Sequence, residues 1–205
     1  MKEVKPTVFV VDDDAAVRDS LRMLLKSVGL PVEVFESGQE FLDADRDDRP
    51  GCLVLDIRMP GMSGLELHET LSRDGIAIPL LFITGHGDVP MAVEAMQAGA
   101  VDFIQKPFRD QDLIDRINRA LEKDREMRGE LRERDEIRRR MSQLTPRERE
   151  VLELVTQGKA NKVIAGDLNV SQRTVEIHRA RVMEKMGANS LAHLVRMVIE
   201  AHRED

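Results

Sequence analysis

The sequence predicts an α/β domain with a doubly wound parallel sheet, joined by a helical linker to a small all-α domain of four helices. Three observations support this architecture. Short apolar runs rich in Val, Ile, Leu and Phe alternate with helical patterns through residues 1–122, which is typical of βα units. Residues 123–143 are dense in Arg and Glu, and residues 144–205 contain helical patterns separated by turn residues. A length of 205 residues has room for two domains of common size.

Five apolar segments are the predicted strands of the first domain, and amphipathic helices separate them. The strands are predicted at residues 8–11, 32–35, 52–55, 80–84 and 101–105. Apolar spacings of three and four, seen at Val17, Leu21 and Leu24, predict the first helix. This repeated alternation of strand and helix predicts that the strands run parallel.

A charged segment at residues 123–143 follows the first domain. Its four apolar residues have spacings of 4, 6 and 4, which do not hold the heptad of a coiled coil. They are Met127, Leu131, Ile137 and Met141. We therefore expect a solvated helical linker.

The second domain, residues 144–205, opens with a helix N-terminal motif. Thr145 is the predicted N-cap, Pro146 occupies the first helical position, and Glu148 completes a capping box. Four helices are predicted at residues 146–157, 161–168, 172–186 and 190–202. The second and third, with a tight turn at residues 169–171, predict a helix-turn-helix.

Charge is distributed unevenly along the chain, whose formal net charge is −7. Residues 1–122 contain 13 basic and 23 acidic side chains, whereas residues 144–205 contain 10 and 9. The net charge therefore does not exclude nucleic acid as a partner of the second domain. No apolar run approaches ~20 residues and no secretory signal is visible, so we expect a cytoplasmic protein that does not enter the membrane. The single cysteine, Cys52, is predicted to be a core residue.

Polar residues follow four of the predicted strands, and the carboxyl ends of parallel strands meet at one edge of the sheet. We therefore expect these side chains to lie together. They are Asp12, Asp13, Asp14, Asp56, Thr84 and Lys106. Crowded carboxylates need a cation to offset their repulsion, and hard oxygen ligands suit Mg²⁺.

A metal ion, an ammonium group and a hydroxyl group beside a carboxylate predict transfer of a phosphoryl group. Asp56 stands alone at the end of its strand and is the predicted nucleophile, with Asp12 and Asp13 as metal ligands beside it. Asp14 is instead expected to cap the following helix or to be a solvated turn residue, as an Asp after a strand commonly is.

Four segments, VFVVDDD, CLVLDIRMPGMSGLEL, FITGHGD and AGAVDFIQKPF, resemble the receiver domain of response regulators. The resemblance implies a flavodoxin-like sheet with strand order 2-1-3-4-5. It implies that a histidine kinase phosphorylates Asp56, and that the Arg58 backbone carbonyl joins the carboxylates in binding Mg²⁺. Thr84 and Lys106 would contact the phosphoryl oxygens, and the Lys106–Pro107 bond is cis in similar proteins.

Phe103 matches the switch aromatic of receivers, although simple core packing explains an apolar residue there equally well. Thr84 and Phe103 lie on the predicted strands that flank a helix at residues 89–97. We therefore expect phosphorylation to reshape the face made by this helix, the fifth strand and the helix after it, and to drive homodimerisation through that face.

The helix predicted at residues 172–186 has two contrasting sides. Val175, Val182 and Met186 form its buried stripe. The opposite side is predicted to read bases through Arg173, Glu176, Ile177, Ala180 and Arg181. The phosphate contacts are predicted from Thr174, His178, Arg179 and Lys185. A solvated helix face is the alternative for the charged residues, and packing against the scaffold helix is the alternative for His178.

The segment LTPREREVLELVTQGKANKVIAGDLNVSQRTVEIHR, followed by KMGANS, is similar to the LuxR-type helix-turn-helix. Together the two resemblances point to FixJ-type regulators within the FixJ/NarL family. They imply a DNA-binding transcription regulator, commonly an activator, whose partners are a histidine kinase, promoter DNA and RNA polymerase. Many such proteins have Lys where this chain has Glu176, which puts borrowed base contacts at that position in question.

Three other functions compete with this interpretation. A magnesium-dependent phosphohydrolase would use Asp56 covalently, but the remaining chain suggests neither a cap domain nor a substrate pocket. A nucleotide-binding module is weaker, since no glycine-rich phosphate motif follows the first strand. A regulator acting on RNA or protein is opposed by the tight turn and by the resemblance.

Overall fold

The computed structural model describes residues 5–44, 49–85, 93, 96 and 99–202. The chain divides into two compact units, Met1–Met127 and Arg128–Asp205. None of the described helices combines the length and the apolar character needed to cross a lipid bilayer.

The first unit contains a parallel five-stranded sheet in the order β2-β1-β3-β4-β5, which confirms the predicted fold class and strand order. The strands are β1 Thr7–Val11, β2 Val32–Phe35, β3 Gly51–Asp56, β4 Leu80–Thr84 and β5 Asp102–Gln105. The described helices that accompany them are α1 Ala15–Ser27, α2 Gly38–Asp43, α3 Gly64–Arg73 and the first part of α4 Asp110–Ser142. The helix predicted at residues 89–97 lies outside the described residues, apart from positions 93 and 96.

Two apolar layers cover the sheet because successive strand residues point to opposite faces. One layer includes Phe9, Leu53 and Phe82, with α2 and α3 packed on it. The other includes Val10 and Val54 and faces α1 and α4. Burying both faces explains why these strands read as continuous apolar runs rather than as alternating ones.

Cys52 is fully buried, as predicted. Burial in the apolar layer, with a smaller contribution from the charge of Asp124, raises the pKa of its thiol to about 12. The thiol is therefore protonated and unreactive at neutral pH.

The second unit contains four further helices: α5 Pro146–Thr156, α6 Asn161–Asp167, α7 Gln172–Met186 and α8 Leu191–His202. Their buried residues, among them Leu152, Ile164 and Leu194, form one core. The predicted capping box is present, since Glu148 N donates to Thr145 Oγ1 at 3.3 Å and Thr145 N donates to Glu148 Oε2 at 2.9 Å.

The segment predicted as a solvated linker, residues 123–143, is helical, and most of its side chains are exposed. It forms the second half of α4, a helix of 33 residues. Asp124 is buried in the first unit, where it accepts a 3.0 Å hydrogen bond from Gly51 N. Ile137 lies in the core of the second unit, and Met141 packs beside it. These two residues are four apart, so they share one face of the helix and can be buried while the charged residues remain exposed.

Candidate functional site

The predicted polar residues meet at the carboxyl edge of the sheet. Asp12 follows β1, Asp56 ends β3, Thr84 ends β4, and Lys106 follows β5. The Lys106 ammonium lies 2.9 Å from Asp12 Oδ2 and 2.8 Å from Asp56 Oδ2. One cation therefore bridges two carboxylates carried by adjacent strands.

Three carboxylates in this cluster face one another. Ligand oxygens of Asp12, Asp13 and Asp56 all lie within 4.8 Å of each other, which is the spacing that a bound cation requires. Oxygen donors of this kind are the ligands that Mg²⁺ prefers. The cluster therefore fits a divalent cation, as the sequence predicts.

The electrostatics of the cluster follow from burial and from the bridging ammonium. Burial raises the pKa of Asp12, against the opposing effects of the Lys106 ammonium and the Asp14 backbone N–H. Burial lowers the pKa of Lys106, but its hydrogen bonds to Asp56 and Asp12 outweigh this effect, and the net direction is upward. Lys106 is therefore a permanent cation at this edge of the sheet.

Two hydrogen bonds from the residues that follow β1 hold Asp12 in place. Asp14 N donates to Asp12 Oδ1 at 2.9 Å, and the Arg18 guanidinium donates to the Asp12 carbonyl at 2.7 Å. Asp14 is the N-cap of α1 and accepts from Ala16 N at 2.8 Å, which confirms the predicted capping role. Arg18 was not among the residues predicted from the sequence, because nothing in its helical spacing indicates a backbone partner six residues away.

Two backbone N–H groups stabilise the turn after β3. Arg58 N donates to Asp56 Oδ1 at 3.2 Å, and Gly64 N donates to the Ile57 carbonyl at 2.9 Å. A Cβ atom at Gly64 would lie 2.3 Å from the Asp56 carbonyl oxygen, so only glycine allows this approach. Gly64 is a second supporting residue that the sequence analysis missed, and its place in the segment MPGMSGLEL was the available signal.

The remaining predicted residues of this site lie on β4 and β5. Thr84 is buried, and its backbone carbonyl accepts a 2.7 Å hydrogen bond from Lys106 N. Phe103 is half-buried, pairs in register with Phe82, and packs against the Phe9 layer. The Lys106–Pro107 peptide bond is cis, as the resemblance implied.

The helix-turn-helix in the second unit consists of α6, a turn and α7. Asn169 has φ 54 in the turn, and Ser171 caps α7 by accepting from Thr174 N at 3.0 Å. The predicted stripe on α7 is fully buried and comprises Val175, Val182 and Met186. The predicted base-reading residues lie on the opposite, exposed side, where the side chain of Ile177 is 48% exposed. The others on that side are Arg173, Glu176, Ala180 and Arg181.

The predicted phosphate-contacting residues also make contacts within the second unit. Arg179 donates to Asn161 Oδ1 at 2.9 Å, and Thr174 Oγ1 lies 2.8 Å from Ser171 Oγ. The Nδ1 atom of His178 is buried and has no hydrogen-bond partner within the described part of the chain. Arg179 therefore links α7 to α6, so any contact that it makes with DNA would come from a group that also stabilises the fold.

Lys185 is the most strongly engaged of them. Its ammonium lies 2.6 Å from Glu148 Oε2 and 3.3 Å from the carbonyl of Gln143. The hydrogen bond from Lys185, together with that from Thr145 N, lowers the pKa of Glu148 to about 2. Glu148 is buried, so this ion pair links α7 to the capping box of α5.

Two families match separate parts of the chain. The family described as the response regulator receiver domain matches residues 8–118, and the family described as bacterial regulatory proteins of the luxR family matches residues 142–198. The first match contains the carboxylate cluster and the second contains the helix-turn-helix.

Relatives match the chain over almost its whole length. The transcriptional regulatory protein FixJ of Rhizobium meliloti is 52% identical over 193 residues, which are 94% of this chain and 95% of FixJ. Nodulation protein W of Bradyrhizobium diazoefficiens is 49% identical over 193 residues, which are 94% of this chain and 85% of that protein. Among solved structures, the response regulator StyR matches with a TM-score of 0.84 at 49% identity, covering 96% of this chain and 99% of StyR. Full-length FixJ from B. japonicum matches with a TM-score of 0.60 at 45% identity, covering 99% of this chain and 100% of that one.

Proposed function

The chain belongs to the FixJ-type response regulators, which combine a receiver domain with a LuxR-type DNA-binding domain, and we propose how its two sites act in phosphorylation-dependent control of transcription. It is a transcriptional regulator of a two-component system. The proposal concerns which residues accept the phosphoryl group, which respond to it, and which contact DNA.

Asp56 is the proposed phosphoacceptor. The observation that carries this assignment is the Lys106 ammonium, 2.8 Å from Asp56 Oδ2, at an edge that also carries Asp12 and Asp13. A carboxylate oxygen of Asp56 forms a bond to the phosphorus of a phosphohistidine while the bond from phosphorus to the imidazole nitrogen breaks. Lys106 then donates to the phosphoryl oxygens in place of the carboxylate, and the Thr84 hydroxyl donates to another oxygen.

Mg²⁺ is the proposed cofactor of this step. Asp12, Asp13 and Asp56 would hold it, together with the backbone carbonyl of Arg58. When bound, it neutralises negative charge on the phosphoryl group and on the three carboxylates. The relatives are regulators, which favours this function over the phosphohydrolase alternative. We propose that the receiver catalyses only its own phosphorylation and the slow loss of the phosphoryl group.

The test of the acceptor is the Asp56→Asn variant, labelled with acetyl phosphate in the presence of Mg²⁺. We expect no acid-labile phosphate, because an amide is too poor a nucleophile. The matched control is Asp14→Asn, which removes one negative charge nearby but keeps a good helix cap. This control should label like the wild type. Full labelling of Asp56→Asn would reject the assignment.

We further propose that phosphorylation produces a homodimer through the face made by residues 89–97, β5 and the first part of α4. The two described positions of this segment, Val93 and Met96, are exposed large apolar residues, at 50% and 40%. Thr84 and Phe103 lie on the neighbouring strands β4 and β5, so a movement of Thr84 toward the phosphoryl group frees space for Phe103 to turn inward. Shifting a receiver from 1:99 to 99:1 requires about 5.5 kcal/mol of differential stabilisation.

Sedimentation with and without beryllofluoride tests the dimer. We expect a monomer without the analogue, a dimer with it, and loss of that dimer in Val93→Arg. Met23→Arg is the control, because Met23 is an exposed apolar residue on α1, outside residues 89–97. A dimer that persists in Val93→Arg would contradict the proposed surface.

On α7, the proposed base contacts are the exposed residues Arg173, Glu176, Ile177, Ala180 and Arg181. The proposed phosphate contacts are Thr174, His178, Arg179 and Lys185. A dimer would present two copies of α7 to half-sites about one helical turn apart. We propose that the phosphorylated dimer acts at bacterial promoters in the cytoplasm, receives its phosphoryl group from a sensor histidine kinase, and activates transcription with RNA polymerase.

A further inference from the structure

We infer that Arg140, in the second half of α4, is a positioning residue for the recognition helix α7 and thereby sets DNA selectivity. The inference rests on the proposed function of α7 in reading bases. Arg140 itself is not expected to touch DNA, and the family resemblance assigned it no role.

Arg140 caps the carboxyl end of α7. Its Nη1 donates to the carbonyl of Met186, the last residue of that helix, at 2.9 Å. The last carbonyls of a helix have no partner within it and carry the negative end of the helix dipole. A guanidinium group satisfies the carbonyl and offsets the dipole at the same time.

The backbone beyond α7 is shaped around this contact. Gly187 closes the helix in the left-handed region at φ 67, where glycine is favoured. A Cβ atom at Gly187 would lie 2.7 Å from Arg140 Nη1, so the missing side chain also leaves room for the guanidinium. The helix end and the arginine therefore fit each other at two points.

A second hydrogen bond, within α4, holds the Arg140 side chain in position. Its Nε donates to Glu136 Oε1 at 2.9 Å, one turn earlier in α4. Ile137 anchors the same stretch of α4 in the core of the second unit, with 4% exposure. A second contact with this segment comes from the Lys185 ammonium, 3.3 Å from the Gln143 carbonyl.

These contacts control where the exposed face of α7 points. The buried stripe fixes the rotation of α7 through Val175, Val182 and Met186, while Arg140 restrains the position of its carboxyl end. Sequence is read through contacts with base edges in the groove, whereas contacts with phosphates carry no sequence information directly. Loss of the restraint should therefore reduce selectivity more than it reduces overall affinity.

The experiment compares two variants of the full chain that lose the same charge. Arg140→Met keeps the aliphatic stem but cannot donate to Met186, and Arg139→Met is the matched control. Arg139 is exposed and pairs only within α4, with Glu136, among its described ion pairs. Each protein is phosphorylated with acetyl phosphate, and its extent of phosphorylation and its thermal unfolding are measured. Fluorescence anisotropy then gives affinities for a duplex enriched from a random pool by the wild type, and for a scrambled duplex.

We expect Arg140→Met to lower the ratio of the two affinities about tenfold, which is the effect of losing one charge-assisted hydrogen bond. Arg139→Met should change the ratio less than about twofold, because it removes no contact with α7. Arg140→Lys, whose ammonium is able to donate to the Met186 carbonyl, should recover part of the loss.

Equal ratios in Arg140→Met and Arg139→Met would overturn the inference. If Arg140→Met is unfolded at the assay temperature, Arg140→Lys against Arg139→Lys decides instead, with a reduction of about threefold expected for the first alone. Equal affinity ratios in Arg140→Lys and Arg139→Lys would also overturn the inference. A wild-type protein that prefers no duplex would reject the proposed reading of bases by α7, which is a different outcome.

Discussion

At the sheet edge of the first unit, charged side chains converge on one point, whereas on α7 of the second unit they diverge into solvent. Lys106 lies within 3 Å of two carboxylates, and three acidic groups share a space of 4.8 Å. On α7, Arg173 and Arg181 are exposed and form no ion pair with the other residues that the structure describes. The contacts that position this helix involve its buried stripe and its carboxyl end. The first region is organised for chemistry inside the protein, and the second for recognition outside it.

The difference has a consequence for substitutions. A change in the convergent region alters the balance of several charges at once, because each group there has two or three neighbours. A change on the exposed face of α7 alters one contact with a partner. Substitutions of Lys185 and Arg179 are intermediate between these two cases, because both side chains also contact other helices of the second unit.

The largest effect is expected for Gly64→Ala, which tests how tightly the convergent region is built. The new Cβ atom would meet the Asp56 carbonyl oxygen at 2.3 Å, so the backbone must shift. We expect the free energy of unfolding of the first unit to fall by about 3 kcal/mol, with loss of phosphorylation. Urea unfolding and labelling with acetyl phosphate measure the two effects.

Gly129→Ala is the matched control, because nothing lies within 4 Å of a Cβ atom at this exposed helical position. There the same substitution should raise the free energy of unfolding by up to about 1 kcal/mol. A Gly64→Ala variant as stable as Gly129→Ala would show that the turn after β3 can shift to accommodate a Cβ atom at residue 64, which contradicts the prediction.

A second test separates acceptance of the phosphoryl group from the response to it. Lys106→Ala should still incorporate phosphate, because Asp56 remains, but the gain in DNA affinity on phosphorylation should fall at least about tenfold. Lys26→Ala, on the exposed end of α1, is the control and should respond normally. A normal DNA response in Lys106→Ala would mean that the ammonium only balances charge in the unphosphorylated state.

The pH dependence of the second unit provides a third test. Glu148 has a pKa of about 2 in the folded chain against an ordinary value of 4.5. Because the folded pKa is the lower one, its contribution to stability is present above about pH 4.5 and is lost as the pH falls toward 2. Glu148→Gln should remove this part of the acid dependence and lower stability at pH 7 by about 2 kcal/mol. Thermal unfolding from pH 7 to pH 3 measures both. Parallel pH profiles for the variant and the wild type would refute a stabilising ion pair.

The smallest effect is expected for Lys185, which lies on α7 and is also paired with the buried Glu148. If its ammonium also contacts a DNA phosphate, Lys185→Met should reduce the slope of log affinity against log salt by about 0.9. Glu148→Gln loses the same ion pair but keeps the cation, so its slope should match the wild type. Equal slopes in all three proteins would confine Lys185 to its structural contact with Glu148.

Much of the convergent region follows directly from the sequence. Five apolar runs alternating with helical patterns define a parallel sheet, and residues that follow its strands must gather at one edge. For this reason Asp12, Asp56 and Lys106 could be placed together before any contact was known. The buried stripe of α7 follows from helical periodicity in the same way, because a repeat of 3.6 residues brings Val175 and Val182 to one side.

Only the tertiary structure decided which residues support these two regions. Arg18 donates to a backbone carbonyl, Gly64 is required by a backbone oxygen, and Arg140 caps a helix 46 residues away. The linker was expected to be solvated because its apolar residues are few, yet Ile137 lies in the core of the second unit. A local pattern of residues specifies how a segment folds and which of its faces is apolar. It does not specify which distant carbonyl or core will meet that face, because that partner is set by the packing of the whole unit.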